Sequence, residues 1–206
     1  MKAAWMKTKI KICGFKTPDE VKNLNPADID FMGIVLFFPK SRRSVSVEQA
    51  KKILAAVPSG IKKTAVTVSP NLEQVQAVEK AGFDYLQVHG TLEDEILEKT
   101  SLSIIRAVNI KNGVPELEIH PRIKAFLFDA AEPGSGKPFD WNALSRVPRG
   151  NRKWVLAGGL NPSNVGDAIH LIHPDMVDVS SSVEKPEGGK DFHKIHAFIE
   201  AVRKAD

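Results

Sequence analysis

Eight short runs of branched and aromatic apolar residues recur along the chain, and stretches with helical spacing lie between most of them. The runs fall near Thr8–Cys13, Phe31–Phe37, Lys62–Val68, Tyr85–Val88, Ser103–Val108, Ala125–Phe128, Trp154–Ala157 and Met176–Val179. Most are too short and too continuously apolar for half-exposed hairpins, and they suit parallel strands covered by helices. Ser46 to Gln49 forms a capping-box pattern that opens VEQAKKILAAV, which stops at Pro58. Asn71 to Gln74 opens a second such run, closed by Ala81-Gly82. Leu92–Lys99, Pro162–Ile172 and Phe192–Lys204 read as further helices, with Pro162 in a first turn. Thr17–Asn25 makes a short, poor helix, and Asn109–Lys124, broken by Pro115 and Pro121, a poorer one.

Strands spaced by roughly 20–30 residues with helices between them are βα units. Eight such units in 206 residues predict one (β/α)8 barrel domain over residues 1–206, with helices 1 and 5 short or irregular. An open doubly wound sheet is the alternative. The strand count argues against it, and the missing GxGxxG after the first run argues against dinucleotide binding.

Composition narrows the function. Lys+Arg number 29 against 25 Asp+Glu, a net +4, which fits an enzyme of small anionic molecules. Aromatics are only 7 % and no basic block occurs, so nucleic acid is not an expected partner. No run approaches a membrane span, and the start lacks a secretory apolar stretch. A lone cysteine, Cys13, excludes an internal disulfide and suggests a reducing, cytoplasmic setting. By itself Cys13 is either a small buried apolar group or a reactive thiol.

In this fold the chemistry gathers where strands end. The first strand ends in Cys13-Gly14, and the second is followed by PKSRR, with Lys40, Arg42 and Arg43. Gln87, His89 and Gly90 end the fourth, and Arg106 lies on the fifth. Asp129 ends the sixth, Gly158-Gly159 follow the seventh, and Asp178 with Ser180, Ser181 and Ser182 end the eighth. The pairs His170/His173 and His193/His196 share helix faces at i, i+3. They lie away from the strand ends with no cysteine or carboxylate to complete a set, so no metal is expected. Trp141 and Trp154 are expected to pack the barrel exterior.

The ordered motifs KICG, PKSRR, QVHG, FLFD, GSGKPFDW, LAGGLNPSNV and VDVSSSVE, followed by GGKD, span Lys9 to Asp191. Together they resemble phosphoribosylanthranilate isomerase of tryptophan biosynthesis. The resemblance implies an Amadori rearrangement of a phosphorylated small-molecule substrate, N-(5-phosphoribosyl)anthranilate, without metal or cofactor. An acid opens the ribose ring to a Schiff base, and a base then removes the C2′ proton. By the resemblance Cys13 is the base, Asp129 the acid and Arg43 the holder of the anthranilate carboxylate. Backbone N–H groups of Gly158, Gly159, Ser180 and Ser181 would hold phosphate, His89 would border the site, and the GSGK loop with Gly136 would close over it. A monomer or homodimer is expected, and the sequence does not choose between them.

Three departures from the family pattern stand out. Ser182 replaces a usual glycine and would be strained if its φ were positive. Pro133 replaces another glycine, and the first and fifth helices look shortened. Rival readings are a ketose epimerase, which needs metal ligands at strand ends, and indole-glycerol-phosphate synthase, which needs a lysine acid there. A phosphate-ligand sensor without activity is the third, resting on Ser182 and Pro133.

Overall fold

A computed structural model of the chain describes residues 7–110, 117, 119–130 and 139–206. All eight expected strands form: β1 (Lys9–Cys13), β2 (Phe31–Leu36), β3 (Lys62–Val68) and β4 (Tyr85–His89). They continue as β5 (Ser103–Ile110), β6 (Ile123–Ala130), β7 (Lys153–Leu156) and β8 (Met176–Val179). Each pairs in parallel with its sequence neighbour, and β8 and β2 both flank β1, so the sheet closes into a ring. The structure is thus the barrel and not the open sheet. A two-residue strand, Ser44–Val45, adds to the β2 edge.

Alternation along each strand sorts the side chains into two shells. Ile10 and Ile12 join the outer core beneath the helices, with Ile34, Leu86, Phe126, Phe128 and Leu156. Phe31, Ile105, Ala125, Leu127, Val155 and Met176 pack inside the ring, and Cys13, Val35 and Val66 cluster separately. Five polar side chains share the inward registers: Lys11, Thr64, Gln87, Asp129 and Asp178, all buried.

The outer shell is supplied by α1 (Val47–Ala55), α2 (Leu72–Ala81), α3 (Asp94–Lys99), α4 (Val165–Ile172) and α5 (Phe192–Ala205). Ser46 accepts from the Gln49 N–H, and Asn71 and Gln74 close a reciprocal box, as expected of these caps. Helix 1 shrinks to a 3₁₀ turn, Pro18–Glu20. Of the expected poor helix before β6, Asn109 and Ile110 are strand and residues 117 and 119–122 carry no helix; the rest lies outside the described residues. Pro162 lies in the turn ahead of α4 and not in its first helical turn, since the helix starts at Val165. His173 adopts a left-handed C-cap, so it does not share a helix face with His170.

At the opposite end from the expected site, three aspartates clamp strand starts. Asp30 accepts from the Ile10 N–H at 2.9 Å, Asp84 from Lys63 at 2.8 Å and Asp175 from Trp154 at 2.9 Å. Each stands one residue before a strand and holds the backbone of an adjacent one.

Candidate active site

The inward register delivers Cys13 at the end of β1 and Asp129 next to the end of β6. These strands are three steps apart around the ring of eight, so the two residues stand nearly across the mouth from each other. Both are buried, at 8 % and 7 % exposure, so their protonation is set by protein neighbours. Burial pushes the Cys13 thiol above its ordinary range, opposed by Lys11; Asp178 adds to the rise, while Lys190 and Arg43 oppose it. Burial likewise raises Asp129 to about 6, against a hydrogen bond that its Oδ1 accepts from the Ala130 N–H at 2.8 Å. The unliganded protein near neutral pH therefore holds mainly thiol and carboxylate. The thiolate–carboxylic acid pair is its minor tautomer, separated from it by movement of one proton.

Glycine makes room for Arg43 beside the thiol and for the acid. At Gly14 φ is +90°, and a Cβ would stand 2.7 Å from Arg43 Cδ and 3.1 Å from Ser180 Oγ. At Gly158 φ is +81°, and a Cβ would stand 2.7 Å from the Ala130 nitrogen and 3.0 Å from Asp129 Oδ1. Gly158 thus serves the acid directly, beyond the phosphate role expected of it.

Arg43 lies over Gly14 with its guanidinium already engaged. Its Nε donates to Glu184 Oε1 at 2.6 Å and its Nη2 to Oε2 at 3.0 Å. Arg42 Nη2 reaches Oε2 at 2.6 Å and Lys190 Nζ reaches Oε1 at 3.1 Å. Burial would raise Glu184, but the Arg43 hydrogen bond and the Lys190 charge outweigh it and bring the carboxyl down to about 2. Three cations around one carboxylate leave a positive surplus beside the thiol. Among the described residues none bonds Arg43 Nη1, so the end of the fork can take a second carboxylate.

The two loops expected to hold phosphate are stitched together. Ser180 Oγ donates to the Cys13 carbonyl at 3.0 Å, and Ser182 Oγ to the Leu160 carbonyl at 2.6 Å. Ser181 opens a 3₁₀ turn, Ser181–Val183, and Gly159 has φ +68° in the facing loop. Ser182 is not among the residues of positive φ, so the serine carries no left-handed strain and instead adds a cross-loop bond. Gly136 and Pro133 lie outside the described residues. His89, at the end of β4, faces Gln87 with Nε2 atoms 2.9 Å apart. Burial, then the charges of Lys11 and Arg106, bring it down to about 4, so it is a neutral ring at neutral pH. Among the described residues no cluster of three or more His, Cys, Asp or Glu is gathered to hold a metal, and no helix is long and apolar enough to cross a membrane.

Sequence reading missed Lys11, Glu184 and Lys190. Glu184 and Lys190 lie in the VDVSSSVE and GGKD motifs, but their value lies in contacts the sequence does not show: Glu184 with Arg43, and Lys190 with Glu184. Lys11 had a usable signal: in KIKIC the two isoleucines alternate with Lys11 and Cys13. If the isoleucines face the helices, the lysine faces the ring.

The family model for N-(5'phosphoribosyl)anthranilate (PRA) isomerase matches residues 10–201. The chain belongs to this family. An N-(5'-phosphoribosyl)anthranilate isomerase of Streptococcus gordonii is 41 % identical over 197 residues, covering 95 % of this chain and 98 % of its own. The isomerase of Thermus thermophilus superposes with a TM-score of 0.85 at 26 % identity, over 97 % of this chain and 100 % of that one. A solved isomerase in complex with reduced 1-(o-carboxyphenylamino)-1-deoxyribulose 5-phosphate gives 0.78 at 29 % identity, over 96 % and 99 %. The present isomerase is therefore an enzyme of tryptophan biosynthesis on a (β/α)8 barrel.

Proposed function

We propose that this isomerase carries out the Amadori rearrangement of N-(5-phosphoribosyl)anthranilate with Asp129 as general acid and Cys13 as general base. Asp129 gives its proton to the ribose ring oxygen, C1′–O4′ breaks, and a Schiff base forms with the anthranilate nitrogen. The Cys13 thiolate then takes the C2′ proton, giving an enolamine that tautomerises to 1-(2-carboxyphenylamino)-1-deoxyribulose 5-phosphate. Opposite sides of one sugar need opposite protonation states. The observation that carries this reading is the near-opposed placement of Cys13 and Asp129 across one mouth.

Arg43 takes the anthranilate carboxylate on its free edge, while Glu184 fixes the guanidinium plane. Phosphate sits between the loops after β7 and β8, on N–H groups of Gly158, Gly159, Ser180 and Ser181, and the Ser182–Leu160 bond holds the two loops in register. The inactive-sensor reading loses its support at Ser182. A lone free thiol suits the cytoplasm, and the assembly is a monomer or homodimer, which light scattering distinguishes.

The test is turnover of freshly made phosphoribosylanthranilate, followed by loss of its fluorescence. Cys13→Ser and Asp129→Asn should each slow kcat by roughly 10²–10⁴-fold. A wild-type rate in either variant would overturn that residue's role, and tight binding of a product analogue without turnover by the unaltered protein would restore the sensor.

A further inference from the structure

Beneath the proposed base and acid lies a buried ion pair to which no role has yet been given. Lys11 Nζ donates to Asp178 Oδ2 at 2.7 Å, with side-chain exposures of 0 % and 7 %. A pair this deep is a poor stabiliser, because desolvating two charges cancels most of their attraction. Packing does not require it either, since the inward face of the ring elsewhere accepts Leu127 and Ile105.

Its position explains it. Lys11 and Cys13 are two residues apart on the inward face of β1, and β1 pairs there with β2 through Gly33. A Cβ at Gly33 would stand 2.9 Å from Cys13 Sγ and 3.2 Å from Lys11 Nζ. Thiol and ammonium thus share one gap that exists because residue 33 has no side chain. Asp178, from β8 on the other flank of β1, holds the ammonium in that gap.

We propose that Lys11 and Asp178 are positioning residues that together set the pH range in which Cys13 and Asp129 exchange protons. Lys11 favours the ionised form of both reacting groups, and Asp178 disfavours it. Burial alone would make Lys11 easier to neutralise, yet Asp178 and Cys13 more than offset it, so the ammonium stays charged through the working range. Four charged groups act on the thiol: Lys11 from its own strand, Asp178 from β8, Arg43 from the loop after β2 and Lys190 from the segment before α5. Arg43 and Lys190 are both tied to Glu184, which leaves Lys11 as the cation whose partner can be removed without disturbing the proposed carboxylate site.

The inference rests on Cys13 and Asp129 being the base and acid, but its first test needs no substrate. Cys13 is the single cysteine of the chain, so thiolate ultraviolet absorbance reports it alone. Lys11→Met should move its titration up by about one unit or more, and Asp178→Asn should move it down. The pH profile of kcat/KM should follow as a whole, upward in the first variant and downward in the second. At neutral pH each upward unit in the thiol costs about tenfold in thiolate. The double variant, neutral in the gap, should titrate between the two. A merely structural role would lower activity in both variants without opposite displacements. Identical titrations, or shifts of the same sign, would overturn the proposal. Should a variant not fold, the unaltered protein decides: the Lys11 ammonium nitrogen resonance should shift at the same pH as the thiolate absorbance, and independence of the two would overturn the coupling. Opposite shifts in the thiol without turnover of phosphoribosylanthranilate would uphold the coupling and reject the isomerase mechanism instead.

Discussion

The two faces of the same eight strands are built for different ends. The outward face is aliphatic and aromatic, sealed by helices, and it contains Ile10, Ile34, Phe128 and Leu156 at 0 % exposure. The inward face carries Lys11, Thr64, Gln87, Asp129 and Asp178 within a few residues of equally buried hydrocarbon. Each buried aliphatic side chain outside contributes roughly 1.5–3 kcal/mol. The inward charges contribute little to stability and in part oppose it, because burial penalises their ionised forms. The contrast teaches where the fold keeps its stability and where it gives some up for reactivity.

Substitutions on either face should behave as mirror images. Asp129→Asn should slow turnover by roughly 10²–10⁴-fold and yet stabilise the protein at pH 7. The folded carboxyl titrates at about 6, above its unfolded value, so its burial cost is felt above that pH and disappears as both states become protonated. The gain, about 1–3 kcal/mol, should fade as pH falls from about 6 towards 4; a gain unchanged at pH 4 in denaturant titrations would contradict a buried, raised acid. Phe198→Ala, on the helical side of the outer core, should cost about 3–5 kcal/mol of stability while leaving kcat of the folded fraction unchanged. Arg43→Lys loses a bidentate fork, so KM should rise by about 10–100-fold with kcat nearly intact; a fall in kcat at constant KM would place Arg43 in the chemistry instead. Ser182→Gly removes one loop bond and loosens the chain, a loss of about 1–2 kcal/mol, seen in thermal unfolding and in weaker phosphate inhibition.

Legibility in the sequence followed the same division. The outer face was readable because its information is local: branched residues every second position, caps at Ser46 and Asn71, and a glycine after α2. All eight strands and the order of the ring follow from that. Cys13, Asp129 and Arg43 were readable only through ordered motifs, since a thiol or a carboxylate at a strand end has no local signature of its reactivity. Lys11 escaped because KIKIC reads as one apolar run, although its lysines and cysteine alternate with the isoleucines and so face the ring. Glu184 and Lys190 escaped for a different reason. Glu184 matters through a contact spanning 141 residues to Arg43, which no window along the chain contains, and Lys190 matters through Glu184. The helical role given to Pro162 failed at a boundary: the helix begins only at Val165, and Pro162 lies in the turn before it.

The aspartate clamps at Asp30, Asp84 and Asp175 have a reach beyond their own hydrogen bonds. In a closed barrel the stagger between strands is a sum around the whole circumference, so a slip at one seam must be taken up at another. Carboxylates at the floor thereby fix the shear, and the shear fixes how high each strand rises at the rim. The level at which the sulfur of Cys13 meets the carboxyl of Asp129 is governed from the far end of the barrel, by residues that never approach a substrate.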